Sequence, residues 1–203
     1  GSSGVQITAA VAPEVENLTV FQRTAQWIVP NDRVVYTEEE KEAFRTDADL
    51  LQNLHNEMST AFNDGFATSV LDGNSELLDG IQERCLEALD TVQDEELKEK
   101  LRPTYKAACK RLVVSHNFYD AVQRDNVDIV TESIDHIEPT GVVTEGELHE
   151  LDVLVLATGF HVDAFMRPMN ITGRNGIDLD EVWKDWPSAY LSIAVPEFPN
   201  FFM

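Results

Sequence analysis

Four short segments hold residues whose types and spacing could do chemistry. Gly1 and Gly4, in Gly1-Ser2-Ser3-Gly4-Val5-Gln6, head a predicted helix. One glycine there lets backbone approach a pyrophosphate, a second lets helix and strand pack closely, and the helix N-terminus favours an anion. The spacing is half of the Gly-x-Gly-x-x-Gly dinucleotide fingerprint, whose leading glycine would lie upstream. The same four residues would also be left by an expression tag. About 20 residues further on, the fingerprint places the residue that reads the ribose. That position holds Arg23, with Thr24 beside it. An acidic residue would bond a ribose 2′-hydroxyl, whereas a guanidinium suits a 2′-phosphate through bidentate, charge-assisted bonds. The spacing therefore favours NADP over NAD, against the alternative of an arginine on a surface loop. Lys106, Lys110 and Arg111 gather positive charge in a third segment, either as a site or as balance for acidic helices before it. In the fourth, Ala157-Thr158-Gly159-Phe160 closes an apolar run with a small-residue turn. Such turns let backbone approach a cofactor at the carboxyl edge of a parallel sheet, although steric needs alone also place glycine there.

The elements that must position these residues are legible from periodicity. Val5, Ile7, Ala9, Ala10 and Ala12 predict a helix over residues 1–12, stopped by Pro13. Leu18 to Gln22 predicts a strand, bracketed by turn signals at Asn17 and at Pro30-Asn31-Asp32. Residues 38–100 then change character, with 18 Asp and Glu against 5 Lys and Arg. Phe44, Ala48, Leu51, Leu54, Met58 and Phe62 recur at helical spacing, as do Leu78, Ile81, Cys85, Leu89 and Val92. These predict amphipathic helices with acidic faces toward water. Beyond Pro103 strands return. Asn126 to Val130 predicts one, and Gly141 to Thr144 with Glu147 to His149 predicts a hairpin around Glu145-Gly146. Asp152 to Ala157 reads as a continuous apolar strand of the buried, parallel type.

Composition excludes several classes. The 203 residues carry a net charge of −22, which argues against nucleic acid and against an anionic membrane surface. No apolar run approaches the roughly 18 residues of a membrane-spanning helix, and no signal peptide is visible. Two cysteines, Cys85 and Cys109, make no disulfide framework and fit a reducing, cytoplasmic setting as ordinary buried or half-buried thiols. His161 reads as a loop residue, since no second His or Cys stands at metal-binding spacing, and no metal is expected. Trp183, Trp186 and Tyr190 read as packing residues. The aromatic C-terminal run, Phe198-Pro199-Asn200-Phe201-Phe202-Met203, suggests a fragment open at both ends.

Taken in order and spacing, five motifs resemble the class B flavoprotein monooxygenases, most closely the Baeyer–Villiger type. They are Gly1-Ser2-Ser3-Gly4-Val5-Gln6, Phe21-Gln22-Arg23-Thr24, Cys109-Lys110-Arg111-Leu112, Leu156-Ala157-Thr158-Gly159-Phe160 and Phe198-Pro199-Asn200. The resemblance covers nearly the whole chain and makes the opening glycines native. It implies an α/β architecture, a Rossmann-like NADPH-binding domain with an acidic helical insertion, and a return into an FAD-binding domain. On it, residues 1–30 and 104–130 are the two parts of the NADPH domain, 31–103 the insertion and 131–203 part of the FAD domain. The FAD glycine motif and the family's signature segment would lie upstream.

The resemblance also implies roles. Gly1, Ser2, Ser3 and Gly4, with Val5 and Gln6, would cradle the NADPH pyrophosphate. Arg23, Thr24 and Lys110 would hold the 2′-phosphate, and Ala157, Thr158 and Gly159 would lie by a cofactor. Arg111 matches the family's active-site arginine, whose permanent charge would stabilise the anions that form when oxygen from O2 attacks a ketone. The implied reaction converts a ketone to an ester or lactone; a flavin-dependent N- or S-oxygenase and an inactive nucleotide-binding fragment are the alternatives. Three positions depart from the family pattern: His161 where Asp is frequent, and Ser192 and Glu197 where Gly is frequent.

Overall fold

The computed structural model describes residues 1–31, 35–72, 76–162 and 164–203. Asp32, part of an expected turn, lies outside the described residues. The chain divides into two compact units, Gly1–Ala157 and Thr158–Met203.

The first unit opens with helix α1, Ser2–Val11, as predicted. Val5, Thr8 and Ala12 form its buried face, and Pro13 cannot continue the hydrogen-bond ladder. Strand β1, Leu18–Phe21, and the short β2, Ile28–Val29, follow. A helical run comes next: α2, Glu38–Thr46; α3, Ala48–Thr60; a π-helical stretch, Ala61–Ala67; α4, Thr68–Asp72; α5, Glu76–Leu89; and α6, Glu95–Lys100. The predicted helix over 44–62 is interrupted by Asp47, whose carboxylate accepts from the N–H groups of Asp49 and Leu50 and starts α3 afresh. Thr37 and Glu40 form a reciprocal capping box on α2. Strand β3, Val113–Val114, helix α7, Phe118–Val122, and strand β4, Val127–Val130, return to the sheet.

β1 pairs in parallel with β4, Leu18 opposite Val127 through Phe21 opposite Val130. β2 pairs in parallel with β3. The main core lies between these strands and their helices. Val5 from α1 and Ala12 at its end meet Leu89, Val92 and Leu101 from the helical run and its links, Phe118, Tyr119, Ala121 and Val122 from α7, and Val127 and Ile129 from β4. Asn126 ties the layers by donating to the carbonyls of Ala12 and Val15, at 2.8 and 2.9 Å. An antiparallel sheet completes the unit: β5, Ile134–Glu138; β6, Gly141–Thr144; and β7, Glu147–Glu150. The predicted hairpin is β6–β7, turning at Glu145-Gly146. Gly141 is required there, because a Cβ would collide with the His149 carbonyl.

Two sequence expectations fail here. Asp152 to Ala157 forms no strand, and Val153, Val155 and Leu156 are exposed. Its apolar pattern is that of a strand flanked on both sides, and no described strand of this chain pairs with it. The stripe of α2 and α3 is also unburied, with Leu51, Met58 and Phe62 each more than half exposed, whereas Leu78, Cys85, Leu89 and Val92 are buried as predicted.

The second unit builds a small core from Leu179, Trp183, Val195 and Phe198 around α8, Leu179–Val182. Asp178 caps α8, and the Trp183 indole donates to the Ser188 carbonyl at 2.8 Å. Of the aromatics expected to pack, Trp183 is buried; Trp186 and Tyr190 are 73% and 72% exposed.

Candidate cofactor-binding site

The head of α1 has the character that its sequence suggests. No side chain caps it, and no acidic residue stands in its first turn. The first N–H groups of a helix have no intrahelical acceptor, and the dipole leaves them positive. A Cβ on Gly1 would meet nothing within 4 Å, and one on Gly4 would sit 3.9 Å from the Ala157 Cβ, an ordinary contact. Packing within this chain therefore requires neither glycine, against the expected close helix–strand packing, and Ala157 lies beside Gly4. Val5 is buried in the core, so only its backbone could face a ligand; Gln6 is exposed.

Arg23 and Thr24 leave the carboxyl end of β1, where Gln22 donates to the Lys100 carbonyl at 3.1 Å. Arg23 is exposed and takes no ion pair among the described residues, while Thr24 is half-buried. Four residues on, Trp27 is 5% exposed and links this segment to the basic one. Its carbonyl accepts from Val113 N–H at 3.0 Å, and its indole donates to the Tyr105 carbonyl at 2.7 Å. The two rings meet edge to face, 6.4 Å apart. The Lys110 ammonium stands 4.6 Å from the centre of the Tyr105 ring, a cation–π contact. Burial pushes the Tyr105 phenol up in pKa. Its hydroxyl is buried with no hydrogen-bond partner among the described residues.

Arg111 follows Lys110 at the entrance to β3, exposed and without an ion pair among the described residues. The structure thus joins the Arg23–Thr24 and Lys110–Arg111 segments through Trp27 and Tyr105. Sequence reasoning missed both aromatics, because neither a contact across 78 residues nor an i, i+5 contact in a loop has a periodic signature. In the second unit Thr158 and Gly159 are exposed. Gly159 has a φ of +89°, which only glycine adopts readily, and a side chain there would meet nothing within 4 Å. His161 lies exposed in a loop, as expected. Cys85 is buried and Cys109 exposed, the latter against expectation. Among the described residues no group of His, Cys, Asp or Glu could hold a metal, and no helix is long and apolar enough to cross a membrane.

No family model matches the chain. An uncharacterized monooxygenase of Mycobacterium tuberculosis is 44% identical to it over 205 residues, covering 100% of this chain and 41% of the relative. A Baeyer–Villiger monooxygenase of Pseudomonas aeruginosa is 30% identical over 211 residues, again with 100% of this chain and 38% of the relative. The crystal structure of a cyclohexanone monooxygenase from Rhodococcus bound to NADP+ superposes with a TM-score of 0.82 at 31% identity, covering 100% of this chain and 45% of that one. The chain spans less than half the length of these relatives. Along its whole length the chain is similar to Baeyer–Villiger monooxygenases, and its α/β fold matches part of theirs.

Proposed function

We propose that this chain is the nucleotide-binding and arginine-bearing part of an FAD- and NADPH-dependent monooxygenase. That enzyme would insert one oxygen atom of O2 beside a ketone carbonyl, giving an ester or lactone. The observation that carries the reading is the junction of the Arg23–Thr24 exit and the Lys110–Arg111 loop through Trp27 and Tyr105. Four cations, Arg23, Lys106, Lys110 and Arg111, come from these two segments in a chain of net charge −22.

A dinucleotide phosphate fits what is there. Gly1, Ser2, Ser3 and Gly4 offer backbone N–H groups at an uncapped helix head, with Val5 and Gln6 behind them. Arg23, Thr24 and Lys110 would hold the 2′-phosphate, where a guanidinium offers two parallel donors and an ammonium a point charge. For a flavin the chain offers the exposed residues Ala157, Thr158 and Gly159. When bound, NADPH supplies hydride and FAD the activation of O2. Arg111 would stabilise negative charge as it develops on the ketone oxygen, without giving up a proton. The finer architecture belongs to the same proposal: a Rossmann-like NADPH domain from 1–30 and 104–130, an acidic helical insertion at 31–103, and part of an FAD domain at 131–203. So does a cytoplasmic setting, which the free thiols of Cys85 and Cys109 support.

The test uses the protein that carries this sequence, a phenyl or cyclic ketone, and two readouts, NADPH oxidation and ester formation. Arg111→Ala is expected to cut ester formation roughly 10²-fold or more, the scale of losing one charge-stabilising donor, while flavin reduction persists. Arg23→Ala is expected to raise the KM for NADPH about tenfold, the scale of a charge-assisted hydrogen bond. Inert ketones, with amines or sulfides oxygenated even by Arg111→Ala, would overturn the ketone reading and return Arg111 to a structural or phosphate-binding role.

A further inference from the structure

We infer that Tyr105, braced by Trp27, is a positioning residue that presents Lys110 to the 2′-phosphate and so sets the preference for NADPH over NADH. The inference rests on the reading of Lys110 given above, and it concerns residues with no charge of their own. A lysine ammonium sits on a four-carbon stem, and fixing that stem costs rotamer entropy. Lys110 is exposed and has no carboxylate partner among the described residues. What holds it is the ring face of Tyr105, at 4.6 Å from the ring centre. A cation over a ring stays open on its other side to an anion, whereas a carboxylate partner would compete with the phosphate.

The ring and its backbone are braced from behind. The Trp27 indole donates to the Tyr105 carbonyl at 2.7 Å, and the Trp27 ring meets the Tyr105 ring edge to face. Gln82 on α5 accepts from the Ala107 N–H at 2.9 Å and pins the loop from the other side. Trp27, Ala107 and Cys85 form a buried cluster that Tyr105 and Leu112 pack against. The Tyr105 hydroxyl is buried without a partner among the described residues, so the ring is there for its face and not for its oxygen. Trp27 lies four residues after Arg23, so a single brace fixes the backbone behind the expected guanidinium and the expected ammonium together.

The experiment compares Tyr105→Leu, Tyr105→Phe, Lys110→Ala and the double variant Tyr105→Leu with Lys110→Ala in the protein that carries this sequence. Affinities for NADP+ and NAD+ are measured by titration calorimetry. Tyr105→Leu is expected to weaken NADP+ binding about two- to five-fold, the scale of a partly exposed cation–π contact, and to leave NAD+ unchanged. Tyr105→Phe keeps the ring and is expected to match the wild type. In the Lys110→Ala background, Tyr105→Leu should add nothing. Unchanged NADP+ affinity in Lys110→Ala would overturn the underlying reading of Lys110. A normal Lys110→Ala loss with no effect of Tyr105→Leu would overturn the positioning role alone. So would a Tyr105→Leu loss shared equally by NADP+ and NAD+, which marks general loosening. Should Tyr105→Leu fail to fold, pentafluorophenylalanine at 105 keeps the shape and reverses the ring's electrostatics; it is expected to lose NADP+ affinity, and wild-type affinity there sinks the inference.

Discussion

At the scale of single residues, the departures from the family pattern carry a physical cost that the sequence alone could not express. Glu197 and Ser192 stand where glycine is frequent in the resembled family, and both adopt left-handed backbone, with φ of +69° and +58°. A side chain in that region costs roughly 1–2 kcal/mol, partly offset by the entropy that glycine loses on folding. Glu197 is held there by its surroundings: its carbonyl accepts from Arg174 N–H at 2.8 Å, and a Cβ on Gly173 would approach it to 2.6 Å. Glu197→Gly is therefore expected to stabilise the second unit by up to about 1 kcal/mol, a rise of a few degrees in the Tm of a thermal melt. Glu197→Ala, which keeps the Cβ, should give no such gain; equal gains from both would show that the backbone conformation is not the cause. Spacing carried the expectation for Arg23, whose place follows from a fingerprint of fixed length. The contact that holds Lys110 was not legible, since nothing in Tyr105-Lys106-Ala107-Ala108-Cys109-Lys110 marks an aromatic face turned toward an ammonium.

At the scale of elements, periodicity located helices and strands but not their neighbours. Leu18 to Phe21 and Val127 to Val130 became paired strands because both alternate with turns that leave them room to align. Asp152 to Ala157 is more apolar than either and remains unpaired, because strand pairing depends on partners and not on the segment itself. The two amphipathic runs diverge for a similar reason. The stripe of α3 faces outward, while that of α5 is covered by the core around Trp27 and Ala107. Burial on α5 and α7 has a consequence for pH. It pushes the Cys85 thiol up to about 11, with Arg84 opposing, and pushes the Tyr119 phenol up as well, Cys85 adding to the effect. Folded-state values above unfolded ones mean that the protonated groups stabilise the fold fully below pH 9, and that this is lost as pH rises toward 11. Urea midpoints measured from pH 7 to 11 are expected to hold to about pH 9 and then fall. Cys85→Ala should start lower, having lost a buried side chain, and fall less steeply. A wild-type midpoint that stays level to pH 11 would refute the link.

At the scale of the whole molecule, two features oppose each other. Thirty-seven acidic residues against fifteen basic ones give a net charge of −22, and like charges keep copies apart. Against this stands the unpaired run at 153–156, where Val153 is 75% and Leu156 73% exposed. An apolar, β-prone segment outside any sheet is a template for pairing with another chain. Asp152 is the only charge within or next to it, so what protection exists comes from the distant acidic helices. Repulsion of that kind acts over the Debye length, about 10 Å at 0.1 M salt and about 3 Å at 1 M, whereas apolar association is not screened. Sedimentation of the 203-residue chain is therefore expected to show more association as sodium chloride rises from 0.05 to 1 M, on the order of the screening just described. Val153→Lys with Val155→Lys places charge on the run itself and should keep the chain dispersed across that range. Association that weakens with added salt, or that the paired lysines leave unchanged, would locate the contact elsewhere and among charged groups. The exposed stripe of α3, with Met58 and Phe62, would then be the surface to alter next.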